Sequence, residues 1–387
     1  MNLLLPLLPT AQQLLCVAFT IFKWFGFLPF PFDCLAFKVQ PPTYRWSAFV
    51  FPVLQFLFYV ALHAIVATHR EVIFFTEYQI LNMNDILKYG IQLSAVYAVL
   101  INTIVQRGVY RAVWTNLSQL RGTVRKKLVR AFLRAYLAKF YGYIAFTLFI
   151  ELQLLGSVLG SAPDMAYWAL IAVLHTFIRL RHLFHVFFID VLKLHLNHLM
   201  LRLTEETEYA KGLRSAPIRQ RSISRLLELK DAYGHLWELN DYINRSFGLS
   251  QICNFTANFV QLSCDFYWCY LAVRGFSFGG CKEIFLTLLP TSCLLGILLH
   301  SAESCLRVGS SLGTIVLEFP TGNDRMLQKI VYRFALQMSQ QRIHFTAHRL
   351  LDVNYRLLKM FGTGIATYMT IFISFSKELP LQSHQHA

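Results

Sequence analysis

Charged side chains are scarce in this sequence, and four long stretches contain none. Asp, Glu, Lys and Arg make up 15% of the 387 residues and hydrophobic residues 55%, whereas an average soluble domain has roughly 25% charged residues. A helix needs roughly 20 apolar residues to cross a bilayer, and the charge-free stretches are close to that length: 46–67, 89–106, 284–302 and 360–376. This composition excludes a water-soluble protein and predicts one that crosses a membrane several times.

Three further hydrophobic stretches carry isolated charges and are also predicted to span the membrane. They are 140–163 with Glu151, 165–189 with Arg179 and Arg181, and 246–273 with Asp265. The stretch from Met165 has only 14 charge-free residues before Arg179, so merging or losing it would give a count of six. We predict an all-α integral membrane protein with seven transmembrane helices.

The net charge of +15 is distributed unevenly between the connections, and this indicates the orientation. The connection 107–139 holds nine Lys and Arg and no acid, and 190–245 and 303–353 are also basic. The connections 68–84 and 274–283 are short and nearly neutral. Because Lys and Arg accumulate in cytoplasmic loops, we predict the N-terminus inside and the C-terminus outside. The charge is thereby explained by contact with membrane lipid, and no nucleic-acid partner is expected.

This alternation divides the chain into seven segments. They are an N-terminal cytosolic or interfacial segment 1–45, helices 1–4 in 46–189, a cytosolic helical extension 190–245, helices 5 and 6 in 246–302, a cytosolic helical anchor 303–353, the last helix in 354–377 and an extracellular tail 378–387. The cytosolic helices are half apolar and need a surface to bury against. We expect them to pack on one another or on neighbouring subunits, which favours an oligomer. The alternative is that they lie along the membrane surface.

The last span carries a motif, Thr367-Tyr-Met-Thr-Ile-Phe-Ile-Ser-Phe375, that resembles the signature of insect gustatory receptors. In that family, Thr-Tyr is followed by five hydrophobic residues, Gln and Phe. Thr367, Tyr368 and Phe375 match the signature, and Ser374 stands in place of the glutamine. Sugar-sensing members of the family tend to carry Glu directly after Thr-Tyr. Met369 stands there in this chain, which argues against a sugar ligand.

The resemblance implies a plasma-membrane taste receptor of sensory neurons that works as a ligand-gated cation channel. It implies a homo- or heterotetramer whose last helices line one pore, with a ligand pocket in the outer half of each subunit. The implied pore and gate residues are Thr367, Tyr368, Ile371, Ser374 and Phe375. Of these, Thr367, Ile371 and Ser374 share one helical face, on which Ile371 is the expected gate. The alternative is a stripe that only packs against other helices.

Aromatic and polar side chains in the predicted outward halves of the spans suit a small-molecule site. The candidates are Tyr89, Gln92, Glu151, Tyr167, Trp168, His175, Gln261, Asp265 and Trp268. Because ionisable groups at membrane depth are functional candidates, our hypothesis is that Glu151, Asp265 or both face the pocket. They would then favour a cationic or other nitrogen-containing tastant, such as a bitter alkaloid. The alternative is that they pair with Arg179, His175 or a neighbouring helix.

Other membrane-protein classes find little support in the sequence. It has no Asp-Arg-Tyr after the third span and no Asn-Pro-x-x-Tyr in the seventh, and the orientation is opposite to that of a G-protein-coupled receptor. Short histidine pairs such as His182 and His185 occur, but the adjacent His-His typical of membrane di-iron enzymes does not. We therefore expect neither an enzyme nor a bound metal or other cofactor. An accessory subunit that conducts only in heteromers stays open.

The orientation is testable with an epitope tag placed after Ala387. We expect antibodies to label this tag on intact cells, because the positive connections place an odd number of spans between the two termini. A tag before Met1 is the control and should be labelled only after permeabilisation. If the C-terminal tag also needs permeabilisation, the orientation is wrong and the channel assignment loses its basis.

Overall fold

Almost every described residue is helical, because a backbone inside hydrocarbon has to satisfy its hydrogen bonds within its own segment. The structure is a computed structural model that describes residues 9–30, 32–33, 38–39, 49–74, 79–120, 124–158, 162–212, 216–274, 281–322 and 324–376. Its helices are α1 (Pro9–Trp24), α2 (Val50–Thr68), α3 (Arg70–Ile73), α4 (Gln79–Val105), α5 (Arg107–Leu120), α6 (Lys126–Val158), α7 (Ala162–Gly212), α8 (Ala216–Val273), α9 (Cys281–Leu317), α10 (Arg325–Gln340) and α11 (Arg356–Ser376). Two short antiparallel pairs join β1 (Phe32–Asp33) to β2 (Lys38–Val39) and β3 (Thr346–Ala347) to β4 (Leu351–Asp352).

Six helices of the described chain are long and apolar enough to cross a membrane. These stretches are Val50–Thr68, Met83–Val105, Lys126–Ser157, Met165–Lys211, Phe285–Leu317 and Arg356–Ser374, and they coincide with six of the seven predicted spans. The remaining span, 246–273, is the second half of α8. Its polar side chains, among them Ser250, Gln251 and Asp265, are buried in the protein and so avoid contact with lipid. The predicted seven-helix, all-α fold is the fold observed.

The structure corrects the start of the second span. The sequence predicted a start at residue 89, because Asp85 and Lys88 precede it. Instead α4 begins at Gln79, and both charged side chains lie within the helix and are buried. The helices α7 and α9 also run without a break past residues 189 and 302, where the predicted spans end. Each therefore joins a membrane-spanning stretch to its extension in one continuous rod.

Arg181 shows how the fourth span accommodates a charge. The side chain is completely buried. Its Nη2 donates hydrogen bonds to the hydroxyl of Tyr110 and to Oγ of Ser250, 3.1 Å away. The guanidinium also lies over the ring of Phe247, with 4.4 Å between its carbon and the ring centroid. Aromatic rings and hydroxyls thus take the place of water around this cation.

The extension helices bury their apolar faces against one another. Leu226, Leu229 and Leu236 of α8 are buried, and in α10 the buried residues recur at helical spacing: Leu327, Ile330, Val331, Phe334 and Met338. The rings of Tyr233 and Phe334 lie 6.1 Å apart between these two helices. These helices therefore pack on one another, as the first alternative in the sequence analysis expected.

The first helix also packs into the bundle. Phe19 and Phe22 of α1 are buried and contact the rings of Phe187 and Phe184 in α7, with centroid distances of 4.9 and 4.8 Å. Aromatic pairs at such distances contribute beyond the area they bury. The described part of the predicted interfacial segment is therefore integrated with the helical core.

A hairpin formed by β3 and β4 ties the start of α11 to α8. The Oδ1 atoms of Asn240 and Asn244 accept hydrogen bonds from the backbone N–H groups of His344 and Thr346, both at 3.1 Å. A Cβ atom at Gly248 would lie 3.1 Å from the backbone nitrogen of His348, so a glycine allows this close approach. The hydroxyl of Tyr233 donates to the carbonyl of Gln341 at 2.8 Å, and burial raises its pKa to about 12.

Candidate functional site

The last helix, α11, has one packed side and one open side. On the packed side the rings of Phe361 and Phe372 contact Phe259 and Tyr267 of α8, with centroid distances of 5.8 and 4.8 Å. A Cβ atom at Gly364 would come within 2.8 Å of the Phe259 ring, so glycine is needed at this crossing. Only 6% of the most apolar 18-residue stretch of α11 is buried. Most of the helix therefore faces surroundings outside this chain.

Hydroxyl groups follow one another along the exposed part of α11. Thr363, Thr367, Thr370 and Ser374 are all exposed. Each donates its hydrogen to the carbonyl oxygen four residues earlier, at 3.0, 3.0, 2.9 and 2.8 Å. Because the hydrogens are used within the helix, the hydroxyl oxygens present lone pairs outward. Such oxygens attract cations and not anions.

The structure divides the predicted pore and gate residues into two sets. Thr367, Ile371 and Ser374 are exposed on the same side, as their spacing predicted. Tyr368 lies on the packed side, half-buried, with its ring 4.3 Å from that of Phe372. The side chain of Phe375 lies outside the described residues. An exposed isoleucine between two exposed hydroxyl residues is the arrangement that the pore hypothesis requires.

A cleft between α6, α7 and α9 brings together part of the predicted ligand pocket. Its cavity volume is about 10 Å³, which is about the room that one water molecule needs. Its lining comprises Glu151, Leu154, Trp168, Ile171, Ala172, His175, Arg179, Leu286, Thr287 and Pro290. Three of the nine pocket candidates, Glu151, Trp168 and His175, are in this lining. The mixture of an aromatic ring, apolar walls and a few polar groups is typical of a small-molecule site, but the cleft has to widen before a tastant fits.

Glu151 forms an ion pair in the wall of the cleft. Its Oε1 lies 2.6 Å from Nη1 of Arg179, and the side chains are 18% and 7% exposed. The carboxylate thus reaches the cleft while it is paired with Arg179, the partner named in the sequence alternative. A guest amine has to share this carboxylate with the guanidinium.

Asp265 is placed differently, in a buried polar cluster behind the cleft. Its Oδ1 lies 2.6 Å from Nζ of Lys88, and the two side chains are 3% and 2% exposed. Nζ of Lys88 lies 5.7 Å from the ring centroid of Trp168. Asp85 accepts a hydrogen bond from the hydroxyl of Tyr167 at 3.0 Å. The ion pair between Asp265 and Lys88 therefore supports the wall of the cleft, and Asp265 does not face the cleft.

The other pocket candidates lie in the same region with partners of their own. Gln92 Nε2 is 2.5 Å from His175 Nε2, and the hydroxyl of Tyr89 is 3.0 Å from Nδ1 of His63. Oε1 of Gln261 accepts from the hydroxyl of Thr291 at 3.0 Å. Trp268 packs against Tyr267 and Leu271. The three polar contacts connect neighbouring helices around the cleft. Tyr89, Gln92, Gln261 and Trp268 are not in its lining.

Sequence reasoning missed Asp85 and Lys88 as members of this region. Their charges kept them out of the predicted span, which starts at residue 89, and they also lie outside the connection 68–84. A signal was nevertheless present, because positions 85, 88 and 92 lie three and four residues apart and share one face of an extended helix. Charged residues on a helix face that continues into a span indicate side chains that are buried against other helices.

Both the sequence and the fold are similar to those of known proteins. The sequence matches the family model described as 7tm Chemosensory receptor over residues 15–379. It is 26% identical to Gustatory receptor 23a of Drosophila melanogaster over 159 residues, which cover 39% of this chain and 41% of that protein. The fold is similar to the insect olfactory receptor OR5 from Machilis hrabei in complex with eugenol, with a TM-score of 0.67, 13% identity and coverage of 94% of this chain and 99% of the other. A second structure of OR5 gives a TM-score of 0.61 with the same identity and coverage.

The buried pair predicts an asymmetry between single and double substitutions. Asp265→Asn should lower the free energy of unfolding by about 3–5 kcal/mol, because it leaves Lys88 buried without the carboxylate to which it is hydrogen-bonded. The double variant Lys88→Met/Asp265→Leu should recover most of this loss. The control is Glu208→Gln, which breaks the exposed pair with Lys211 at 2.9 Å and should cost less than about 1 kcal/mol. Thermal unfolding of the purified protein measures all three. A double variant that melts below Asp265→Asn contradicts the argument.

Proposed function

The chain belongs to the 7tm chemosensory receptor family, and on this basis we propose that it is a gustatory receptor subunit that conducts cations when a tastant binds. The single observation that carries the proposal is the open, hydroxyl-bearing face of α11. A multi-pass chemosensory receptor of this fold accounts for the helices and the cleft. The channel activity, the class of tastant and the assembly are our proposals.

The exposed face of α11 supports a pore between several copies of the chain. A transmembrane helix with four outward hydroxyl oxygens gains most from contact with ions and water. A symmetric tetramer would place four copies of this face around one axis. Ile371, which is 49% exposed, would then form an apolar constriction that closes by dewetting, and Ser374 would offer hydroxyl oxygens beside it. The absence of acidic residues from this face, within the described part of α11, favours weak selectivity among cations.

The cleft supports a small ligand that contains nitrogen. Trp168 offers an aromatic face and Glu151 a carboxylate, which together attract a cationic amine. Arg179 competes for the carboxylate, so the guest has to bring hydrogen bonds that compensate for a weakened ion pair. The similar receptor OR5 has been solved in complex with eugenol, which supports a small-molecule ligand for this fold. Bitter or deterrent nitrogen compounds fit these groups better than sugars, and Met369 is consistent with this choice.

An accessory role is the second candidate. Ser374 stands where the family signature has glutamine, so this chain brings a shorter side chain to the proposed pore. A subunit of this kind would conduct only together with related subunits that carry the amide. Expression alone and with related receptors in the same cells distinguishes the two candidates, since a homomeric channel gives ligand-dependent current by itself. In either case we place the protein in the plasma membrane of gustatory neurons or other sensory cells.

Replacing the proposed gate residue should open the channel. We expect Ile371→Ser to raise the ligand-free current severalfold, because a polar ring lets water and ions occupy the constriction. The matched control is Ile365→Ser on the same helix, whose side chain packs against the core. That variant should lower the amount of protein at the cell surface without adding ligand-free current. An unchanged resting current in Ile371→Ser, at normal surface expression, contradicts the pore assignment.

Neutralising the carboxylate of the cleft should weaken cationic agonists selectively. We expect Glu151→Gln to raise the half-maximal concentration of a cationic agonist by about tenfold, the effect of losing roughly 1.4 kcal/mol of interaction, and to change that of a neutral agonist less. The control is Asp190→Asn, which removes a carboxylate paired with Lys139 at 2.7 Å outside the cleft. Concentration–response curves with surface labelling provide the measurement. Equal shifts for both variants would falsify the ligand hypothesis and leave the channel proposal intact.

A further inference from the structure

The first turns of α6 carry an exposed row of positive charge, which we call the basic face of α6. It consists of Lys126, Lys127, Arg130 and Arg134, all of them exposed. Positions 126, 130 and 134 are four residues apart and lie along one side of the helix over about 12 Å. The adjoining side of the same turns, with Val129 and Leu133, is buried against the protein. The four charges therefore point away from the helical core.

These four cations differ from the other basic residues of the same helix region. Arg125 lies 2.5 Å from Oε2 of Glu205. Lys139 lies 2.7 Å from Oδ2 of Asp190 and 2.8 Å from Oγ of Ser301. By contrast, the basic face forms no ion pair within 4.0 Å in the part of the chain that is described. Internal packing accounts for Arg125 and Lys139 but leaves the basic face without a structural partner.

The same side of α6 continues without interruption into a surface that suits hydrocarbon. Small residues come first, with Ala138, Gly142 and Ala145 all exposed. Leu148 and Phe149 follow, 58% and 59% exposed. From Arg134 to Ala145 the helix rises about 16 Å, which is close to half of a roughly 30 Å hydrocarbon core. A cationic end and a shallow apolar track one leaflet long therefore adjoin on one helix.

We propose that the basic face of α6 binds the headgroup of an anionic phospholipid, whose acyl chains lie along the track from Ala138 to Ala145. Arg130 and Arg134 are one turn apart, about 6 Å between their Cβ atoms, so a headgroup with more than one phosphate contacts both guanidinium groups. Each arginine can donate two parallel hydrogen bonds to the oxygens of one phosphate. An inositol headgroup with several phosphates is the best fit, ahead of a serine headgroup. The proposed inside location of this connection puts the site in the leaflet that holds such lipids.

The chain offers a matched control surface on α10. Arg325, Lys329 and Arg333 have the same spacing and are all exposed. However, α10 packs on α8 near Tyr233, whose ring is 6.1 Å from that of Phe334. Tyr233 precedes the membrane stretch of α8 by 13 residues, or about 20 Å of helix, whereas Arg134 of the basic face is four residues, or about 6 Å of helix, from the apolar track at Ala138. Three charges removed there alter the net charge equally but lie far from any lipid headgroup.

The test measures lipid bound to the purified full-length chain in phosphatidylcholine nanodiscs containing phosphatidylinositol bisphosphate or phosphatidylserine. Lys126→Gln/Arg130→Gln/Arg134→Gln should weaken binding of the bisphosphate lipid by roughly tenfold or more. Arg325→Gln/Lys329→Gln/Arg333→Gln should change it by less than about twofold, because its charges lie beyond a Debye length of roughly 8 Å. Rising salt should weaken binding to the unmodified chain. Equal melting temperatures in pure phosphatidylcholine confirm that both variants are folded.

Three results would overturn the proposal. Equal losses in the two triple variants would mean that net charge, and not this face, attracts the lipid. Unchanged binding in the α6 variant would remove the site. Competition by soluble inositol trisphosphate as effective as that of the lipid would show that the apolar track contributes nothing. The measurement needs neither tastant nor current, so its failure is distinguishable from failure of the proposed channel function.

Discussion

The ion pair between Lys88 and Asp265 is the interaction around which the membrane part of this protein is arranged. A charge in a low-dielectric interior is tolerated only beside a counter-charge or other compensating groups, and lipid offers none. The pair joins α4 to α8 at 2.6 Å and turns the polar side of α8 toward the other helices. Asp85 and Tyr167 extend the same cluster to α7. Once α8 is oriented in this way, its outer side is left for the aromatic residues that receive α11.

Helix α8 thereby connects the two regions of the molecule that matter for function. Trp168 in the cleft lies over Lys88, which binds Asp265 of α8. Two residues further along α8, Tyr267 contacts Phe372 of α11 at 4.8 Å between ring centroids. At the other end of the membrane stretch, Asn240 and Asn244 hold the hairpin that leads into α11. In the proposed channel, a displacement of α8 would act on α11 through both sets of contacts, and these are the candidate path from ligand to pore.

The exposed faces of two helices call for different surroundings. The open face of α11 bears hydroxyl oxygens and one isoleucine, and this suits water, ions and further copies of the chain. The open face of α6 changes from cationic to apolar within a single leaflet depth, which suits a phospholipid. Contacts among the described residues explain neither face. Each is a surface whose partner is identified by its chemistry.

Much of this architecture was determined by local sequence. Four charge-free runs and two runs with isolated charges predicted the six long apolar helices, because the cost of placing a charge in hydrocarbon depends on each residue and its immediate neighbours. The common face of Thr367, Ile371 and Ser374 follows from helical periodicity alone, and the motif around Tyr368 indicated the family. Local reasoning placed the start of α4 too late, because Asp85 and Lys88 appeared to forbid a span. Only the tertiary structure decided that question, since Asp265 lies 177 residues from Lys88 in sequence, and a buried charge is tolerated according to what the fold brings beside it. For the same reason the sequence left open whether Glu151 and Asp265 face a pocket or pair with other residues. The packed helices show Glu151 paired with Arg179 in the wall of the cleft and Asp265 paired with Lys88 behind it.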